Sequence, residues 1–407
     1  MRKLLVLVMV TLCVAAFAEG GAENIITTAG LTGPVYKLAI DAFEAAHPDV
    51  TVRNLGVDIT TGETITMDAL VAAGKAPDIY VDFVGRAAKY KVKEFAQKLT
   101  IDESQYVPAL LDWGRIDGDL YGVPMPLPGQ AMVINLDVMD AIGYTVPNAW
   151  TVADFTEMAK KAKAGGFIPT VLFAANPSGD YLWVNWFGSF GAQFWDKGYT
   201  RSTLDTPAGL AAFQWLNTLA QNYAAPGAQT ITDDDAMALW QTGKVAAMPI
   251  RPSWVPIYMD AAVKSGVIDK PFHTVMVPFP TAPGVDGVPT IGAGNMIVVH
   301  KQTDPAKIAL LNEFVQIISG KKIQTEVVKL EGFSTRLDVT SHPENPGEQV
   351  VQDIAKRFGW MDVGYSQPWY YEVRALLPQI LREMYAGNIT PEQARDQFVA
   401  GANAIIK

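Results

Sequence analysis

From residue 24 onward, short β-branched runs alternate with amphipathic segments of period 3.6, and this alternation restricts the fold more than any other feature of the chain. "NIITTAG" (24–30) reads as a strand ending in glycine. The segment "GPVYKLAIDAFEAAHPD" then places Val35, Leu38, Ala39, Ala42, Phe43 and Ala46 on one helical face, and Pro48 closes it. "VTVRNLGV" alternates like a second strand, and "ETITMDALVAAGKAPDIYVDFVG" repeats the theme with a helix to Ala73, Gly74 as stop, and the strand "DIYVDF". Such β-α-β order predicts α/β layers around mainly parallel sheets.

Later segments continue the pattern. "AMVIN" (131–135) reads as a strand after a Pro/Gly-rich loop, and "TVADFTEMAKKAKAGG" as a helix capped by Thr151 and stopped at Gly165. "TPAGLAAFQWLNTLAQNY" is helical, "DDDAMALWQTGKVAAMPI" runs helix into strand, and "NMIVVH" is a short buried strand. From Pro368 to Lys407 the chain reads as helical, interrupted at "AGNITPE", where Thr390 caps the last helix. No tandem repeat and no low-complexity linker divides the 407 residues, so two lobes interleaved in sequence are expected.

The start, "MRKLLVLVMVTLCVAAFA", has a basic beginning, an apolar run and an Ala16-Phe17-Ala18 ending, the pattern of a signal peptide over 1–18. Cys13, the only cysteine, allows a second reading, a lipid anchor on a chain cleaved just before it. Cleavage after Ala18 leaves no cysteine, which excludes disulfides and thiol chemistry. Without Arg2 and Lys3, 30 of the 32 basic residues remain against 42 acidic ones, a balance that argues against nucleic acid or an anionic membrane as partner.

Catalytic constellations are missing from the pattern. There is no G-x-S-x-G, H-E-x-x-H, P-loop or G-x-G-x-x-G after a strand, and His47, His273, His300 and His342 lack ligand spacing. Neither metal nor cofactor is expected. Asp233-Asp234-Asp235 precedes a helix and complements its N-terminal dipole. A pair of carboxylates brought together from distant positions, as a glycosidase requires, stays open at this point.

Six phrases occur in an order that resembles the sugar-binding proteins of ABC importers, the extracellular solute-binding proteins of the maltose-binding type: "AFEAAHPDVTV" (42–52), "AAGKAPDIYVDF" (72–83), "DGDLYGVPM" (117–125), "INLDVMDAIGYTVPNAWTVADF" (134–155), "GKVAAMPIRPSW" (243–254) and "PWYYEVRALLPQILREMYAGNITPEQA" (368–394). The resemblance implies a two-lobed periplasmic-binding-protein fold of type II, each lobe an α/β unit with a mainly parallel sheet, joined by a hinge. The lobes are expected at 24–130 plus 281–332 and at 131–280 plus 333–407. The implied function is non-enzymatic: an exported monomer closes over a mono- or oligosaccharide and presents it to membrane permease subunits. A secreted carbohydrate-active enzyme and a receptor for peptides or polyamines are the alternatives.

Sugar sites pair aromatic faces with polar side chains, because a pyranose offers C–H faces and a rim of hydroxyls. By resemblance, Trp254 and Trp369 are ligand platforms. Thr32, beside Gly30 and Leu31 after the first strand, and Asp82, Phe83 and Arg86 after the third supply the opposite wall. Gln130 at the lobe crossover and Gly294 in "GAGN" complete it. Arg251, where the family has a smaller residue, favours a carboxylate or a dense cluster of hydroxyls, so an acidic or modified sugar is a further reading. In "YLWVNWFGSFGAQFW" (181–195), Trp183, Phe187, Phe190 and Phe194 form a helical stripe expected in the core. Tyr181 and Trp183 are its ligand-facing edge, Trp186 lies off the stripe, and Trp195 is expected at a solvent-side turn.

Overall fold

The computed structural model describes residues 24–31, 34–56, 67–83, 95–125, 129–147, 149–176, 184–292, 294–330, 332–340, 345–365 and 367–407. The chain opens with β1 (Asn24–Ala29), α1 (Pro34–Ala46), β2 (Val50–Asn54), α2 (Met67–Ala72) and β3 (Ile79–Phe83), as the periodicity predicts. β4 (Gly122–Pro124) leads to β5 (Ala131–Asn135), α3 (Val152–Ala164), α4 (Pro207–Asn222), α5 (Asp233–Gln241), β6 (Ala247–Ile250), α6 (Trp254–Lys264) and β7 (Thr274–Val277). β8 (Asn295–Val299) is followed only by helices: α7 (Pro305–Ile318), α8 (Lys321–Leu330), α9 (Pro346–Phe358), α10 (Tyr370–Tyr385) and α11 (Pro391–Ile406).

The caps expected at Thr151 and Thr390 are present, and Thr232 forms a third. Thr151, Thr232 and Thr390 each accept from the backbone N–H three residues on, and Asp154, Asp235 and Gln393 return the bond as capping boxes. Asp233, Asp234 and Asp235 occupy the first turn of α5, where the helix dipole favours them.

The first sheet has the order β2-β1-β3-β8-β4. β1 pairs in parallel with β2 and β3, whereas β8 returns antiparallel between β3 and β4, so four of the five strands run one way. Side chains alternate across it with period 2. Ile79, Val81, Ile297 and Val299 enter a core with Phe43, Leu311 and Phe314, while Tyr80, Met296 and Val298 face the larger core of the protein. The Phe43 and Phe314 rings, from α1 and α7, lie 4.6 Å apart. Buried Asp78, just before β3, joins the layers: it accepts from the Thr27 N–H and hydroxyl at 2.9 and 3.0 Å and pairs with Lys307 at 2.7 Å.

In the second sheet, order β6-β5-β7, both pairings are antiparallel. Outside that sheet, single parallel bridges join Ile168 with Val245 and Thr170 with Ala224. The expectation of mainly parallel strands thus holds for the first sheet and is corrected for the second. β5 leaves the crossover and its neighbours run back toward it, so Ala131, the first residue of β5, faces Ile250, the last of β6.

Backbone bonds lie next to two of the expected lobe boundaries. Thr281 exchanges backbone bonds with Trp150 and Val152 of the second half. Thr335 and Leu337 bond to Val107 and Gln105 of the first, and the Thr335 hydroxyl donates to Pro124 O at 3.0 Å. Arg336 stays there through Asp338 at 2.8 Å and the Tyr106 ring, 5.0 Å from its guanidinium carbon.

The ring-rich stretch forms a helix of only four residues, Asn185–Gly188, rather than a long stripe. Gly188 and Gly191 account for this, Gly191 through its φ of +71°. Trp186 is fully buried among Phe155, Trp215 and Phe279, with ring centroids 5.2–6.1 Å apart, and Phe187 and Phe194 are core as expected. Trp195 corrects the expectation of a solvent-side turn: it is 7% exposed and meets Trp369 edge-on at 4.6 Å.

Candidate functional site

Gly30, Leu31, Asp82 and Phe83, the described residues expected after the first and third strands, sit at one end of the first sheet. Gly30 follows β1 with φ +76°, and a Cβ there would stand 3.1 Å from Val81 Cβ, so the turn admits only glycine without strain. The following Leu31 is core, its carbonyl accepting from Asn54 Nδ2 at 2.9 Å. Asp82 is 4% exposed near the end of β3, opposite Met296 of β8, and by the strand period it shares a face with Tyr80. Phe83 ends the same strand opposite Asn295. Thr32, Arg86, Tyr181 and Trp183 lie outside the described residues, as does the Phe83 side chain.

Gln130 and Gly294 belong to the crossings between the two halves, and both are buried. The Gln130 backbone is bound on both sides by the Thr290 hydroxyl, at 2.8 and 2.9 Å. Beside Gly294, Gly292 has no room for a side chain: a Cβ would lie 2.5 Å from the Trp360 ring, which itself meets Phe333 at 4.9 Å. The crossing at 290 is also paired with Trp360 in a parallel bridge. Three separate stretches of sequence therefore meet at Thr290, a junction that no local pattern signals.

On the second wall, β6 ends in Ile250 and the chain turns through Arg251, Pro252 and Ser253 into α6, whose first residue is Trp254. Asn345 holds this turn by donating from Nδ2 to Pro252 O at 2.9 Å, and the Trp254 N–H donates to Arg251 O at 3.0 Å. The Arg251 guanidinium carbon stands 4.7 Å from the Trp254 ring centroid, within cation–π range, and Tyr258 meets the same ring edge-on at 5.8 Å. Trp254 and Arg251 remain partly exposed. Burial, and then Asp234 and Asp233, raise the Tyr258 phenol above its ordinary pKa.

Trp369, expected as the second platform, is 9% exposed and wedged against Trp195 and the backbone of Gly364. Tyr370, next in sequence, is buried as well. Tyr371 is partly exposed, with the Arg374 guanidinium carbon 5.7 Å from its centroid. Tyr365 packs on Tyr370 at 4.9 Å and reaches Trp113 of the first half at 6.0 Å. Trp113 and Tyr365 carried no signal of this meeting, since 252 positions separate them; only the "WYY" composition marked the neighbourhood.

Rings backed by guanidinium groups and a buried carboxylate near a strand end suit a polyhydroxylated ligand. Among the described residues no group of three or more His, Cys, Asp or Glu could hold a metal ion, and no helix is long and apolar enough to cross a membrane.

Residues 39–347 match the family model for bacterial extracellular solute-binding proteins. An arabinooligosaccharide-binding protein of Halalkalibacterium halodurans is 25% identical, the match spanning 84% of this chain and 77% of that protein. Among solved structures, a chitin oligosaccharide binding protein superposes with TM-score 0.75 at 19% identity, over 95% of this chain and 100% of that one. An ABC substrate-binding protein from Listeria monocytogenes in complex with cycloalternan gives 0.73 at 17% identity, over 94% and 99%. These two likenesses establish the two-lobed fold.

Proposed function

We propose, from the premise that the chain belongs to the bacterial extracellular solute-binding proteins, that it captures a mono- or oligosaccharide between two lobes and delivers it to the membrane subunits of an ABC importer. The observation that carries this reading is Trp254: a partly exposed indole at the start of α6, backed by Arg251 and edged by Tyr258. The names of the oligosaccharide-binding relative and of the Listeria protein point the same way.

We place one lobe at 24–124 plus 294–338 and the other at 131–289 plus 346–407, following the bonds of Thr281, Thr335 and Leu337. Sugar bound to one lobe favours the closed form through contacts to the other, a population shift. Asp82, Arg86, Thr32, Phe83 and Gly294 face it from the first lobe. Arg251, Trp254, Tyr181 and Trp183 face it from the second, with Gln130 at the hinge. Trp369 acts from behind, by fixing Trp195 and the start of α10. The protein works as an exported monomer without catalysis. Its mature chain is released by cleavage after Ala18, or anchored if Cys13 is lipidated; both positions lie outside the described residues.

A thermal-unfolding screen against saccharides, peptides and polyamines tests the proposal. A ligand at about 100 times its Kd adds about 2.7 kcal/mol. Stabilisation by a saccharide, recovered unchanged in mass, is expected. Stabilisation only by peptides or amines, or turnover of the sugar, would overturn it.

A further inference from the structure

A cavity of about 510 Å3, within the 300–1,000 Å3 typical of small-molecule sites, lies among residues other than Trp254, Arg251, Gln130 and Asp82. Its described walls are the segment 188–199, the extended stretch around 287–289 and residues 360–362. Hydrogen bonds bind these walls to one another: Asn185 Nδ2 donates to Pro289 O at 2.8 Å, Ala282 N to Ser189 O, and Met361 N to Thr290 O. None of them comes from the sheet of β1 to β3. Gly188 keeps the wall thin, since a Cβ there would lie 2.6 Å from Met361 Cε and 2.8 Å from Val288 Cγ1.

The lining combines the rings of Trp195, Tyr199 and Trp360 with Gln193, Asp196 and Asp362. Both carboxylates are already held: Asp362 accepts from the Tyr199 hydroxyl and Gly364 N–H, and Asp196 from Thr200 and Arg201. Lys197 offsets part of their charge. Fixed acceptors beside flat rings fit a neutral polyhydroxylated ring better than a polyamine, which needs uncommitted negative charge.

We propose that this cavity is a second saccharide subsite, taking one end of a neutral oligosaccharide against Trp360 and Tyr199 with Gln193 and Asp362 on its hydroxyls. The proposal rests on the saccharide reading above. Because the described walls belong to one lobe and the hinge, the subsite is complete before closure. Through Trp360, which packs on Gly292 and Phe333, its occupancy bears on the hinge itself.

The test uses the full mature chain labelled with 15N at its tryptophan indoles, assigned by Trp→Phe variants and titrated with maltotetraose, chitotriose and arabinotriose. At least one oligosaccharide is expected to shift the Trp195 and Trp360 resonances saturably, with Y199F and Q193A each weakening that binding several-fold. Shifts at Trp254 with Trp195 and Trp360 silent would overturn the subsite and leave the saccharide reading standing. Shifts at Trp195 and Trp360 that neither variant weakens would also overturn it. Silence of all three tryptophans with all three sugars would overturn both.

Discussion

The Thr290 hydroxyl accepts from the Gln130 N–H at 2.8 Å and donates to the Gln130 carbonyl at 2.9 Å, closing a two-bond pin between the first crossing and the returning one. Both residues are 1% exposed, and Gly129 beside them packs on Val351 of α9. Replacing Thr290 by Val keeps the shape and strands two buried backbone groups. T290V is expected to lose about 1–3 kcal/mol in urea unfolding; an unchanged midpoint would show that the pin adds no stability.

If Trp254 is the ligand platform proposed above, W254A should separate binding from folding. Affinity for the stabilising saccharide is expected to fall at least tenfold, about 1.4 kcal/mol, by calorimetric titration. The unliganded melting temperature should move little. A large loss of stability with unchanged affinity would return Trp254 to the core.

Trp186 makes the converse case. It is fully buried between Phe155, Trp215 and Phe279, and W186A leaves a cavity that its neighbours cannot fill. A loss of about 3–5 kcal/mol is expected, measured by denaturant unfolding of the unliganded protein.

Gly30 combines φ +76° with a 3.1 Å approach to Val81. G30A is expected to cost about 1–2 kcal/mol from the left-handed backbone alone, with some further cost from the contact. Circular dichroism melting would detect it, and a neutral result would mean that the turn after β1 relaxes.

Hydrogen bonds from the Thr232 backbone and hydroxyl hold Asp235 below its ordinary pKa of 3.8, and Arg336 does the same for Asp338. A carboxyl depressed in the folded state stabilises the protein above its unfolded pKa, and that contribution disappears as pH falls through the folded value. D235N and D338N should therefore melt below the parent at neutral pH and converge on it as the medium is acidified below about pH 4. A gap that stays constant with pH would remove the carboxylates from the acid sensitivity.

Local chemistry in the sequence was enough to write the alternation that builds the first sheet, the threonine caps at 151 and 390, and the strand β5, because each depends on neighbours within a few positions. The family resemblance added Trp254 and the turn at Arg251. Other features needed the folded chain. Trp369 and Trp195 look like any two tryptophans in sequence, and their 4.6 Å contact, which buries both, exists only because α10 is laid beside the segment after Gly191. The antiparallel second sheet follows from the direction in which β5 leaves the crossover, and the placement of Thr335 to Leu337 from backbone bonds to a segment over two hundred residues earlier. Periodicity fixes which face of an element is apolar. Which distant element covers that face, and so which rings remain for a ligand, is decided by tertiary contacts such as those that bring the stretches at 130, 290 and 360 together around Thr290.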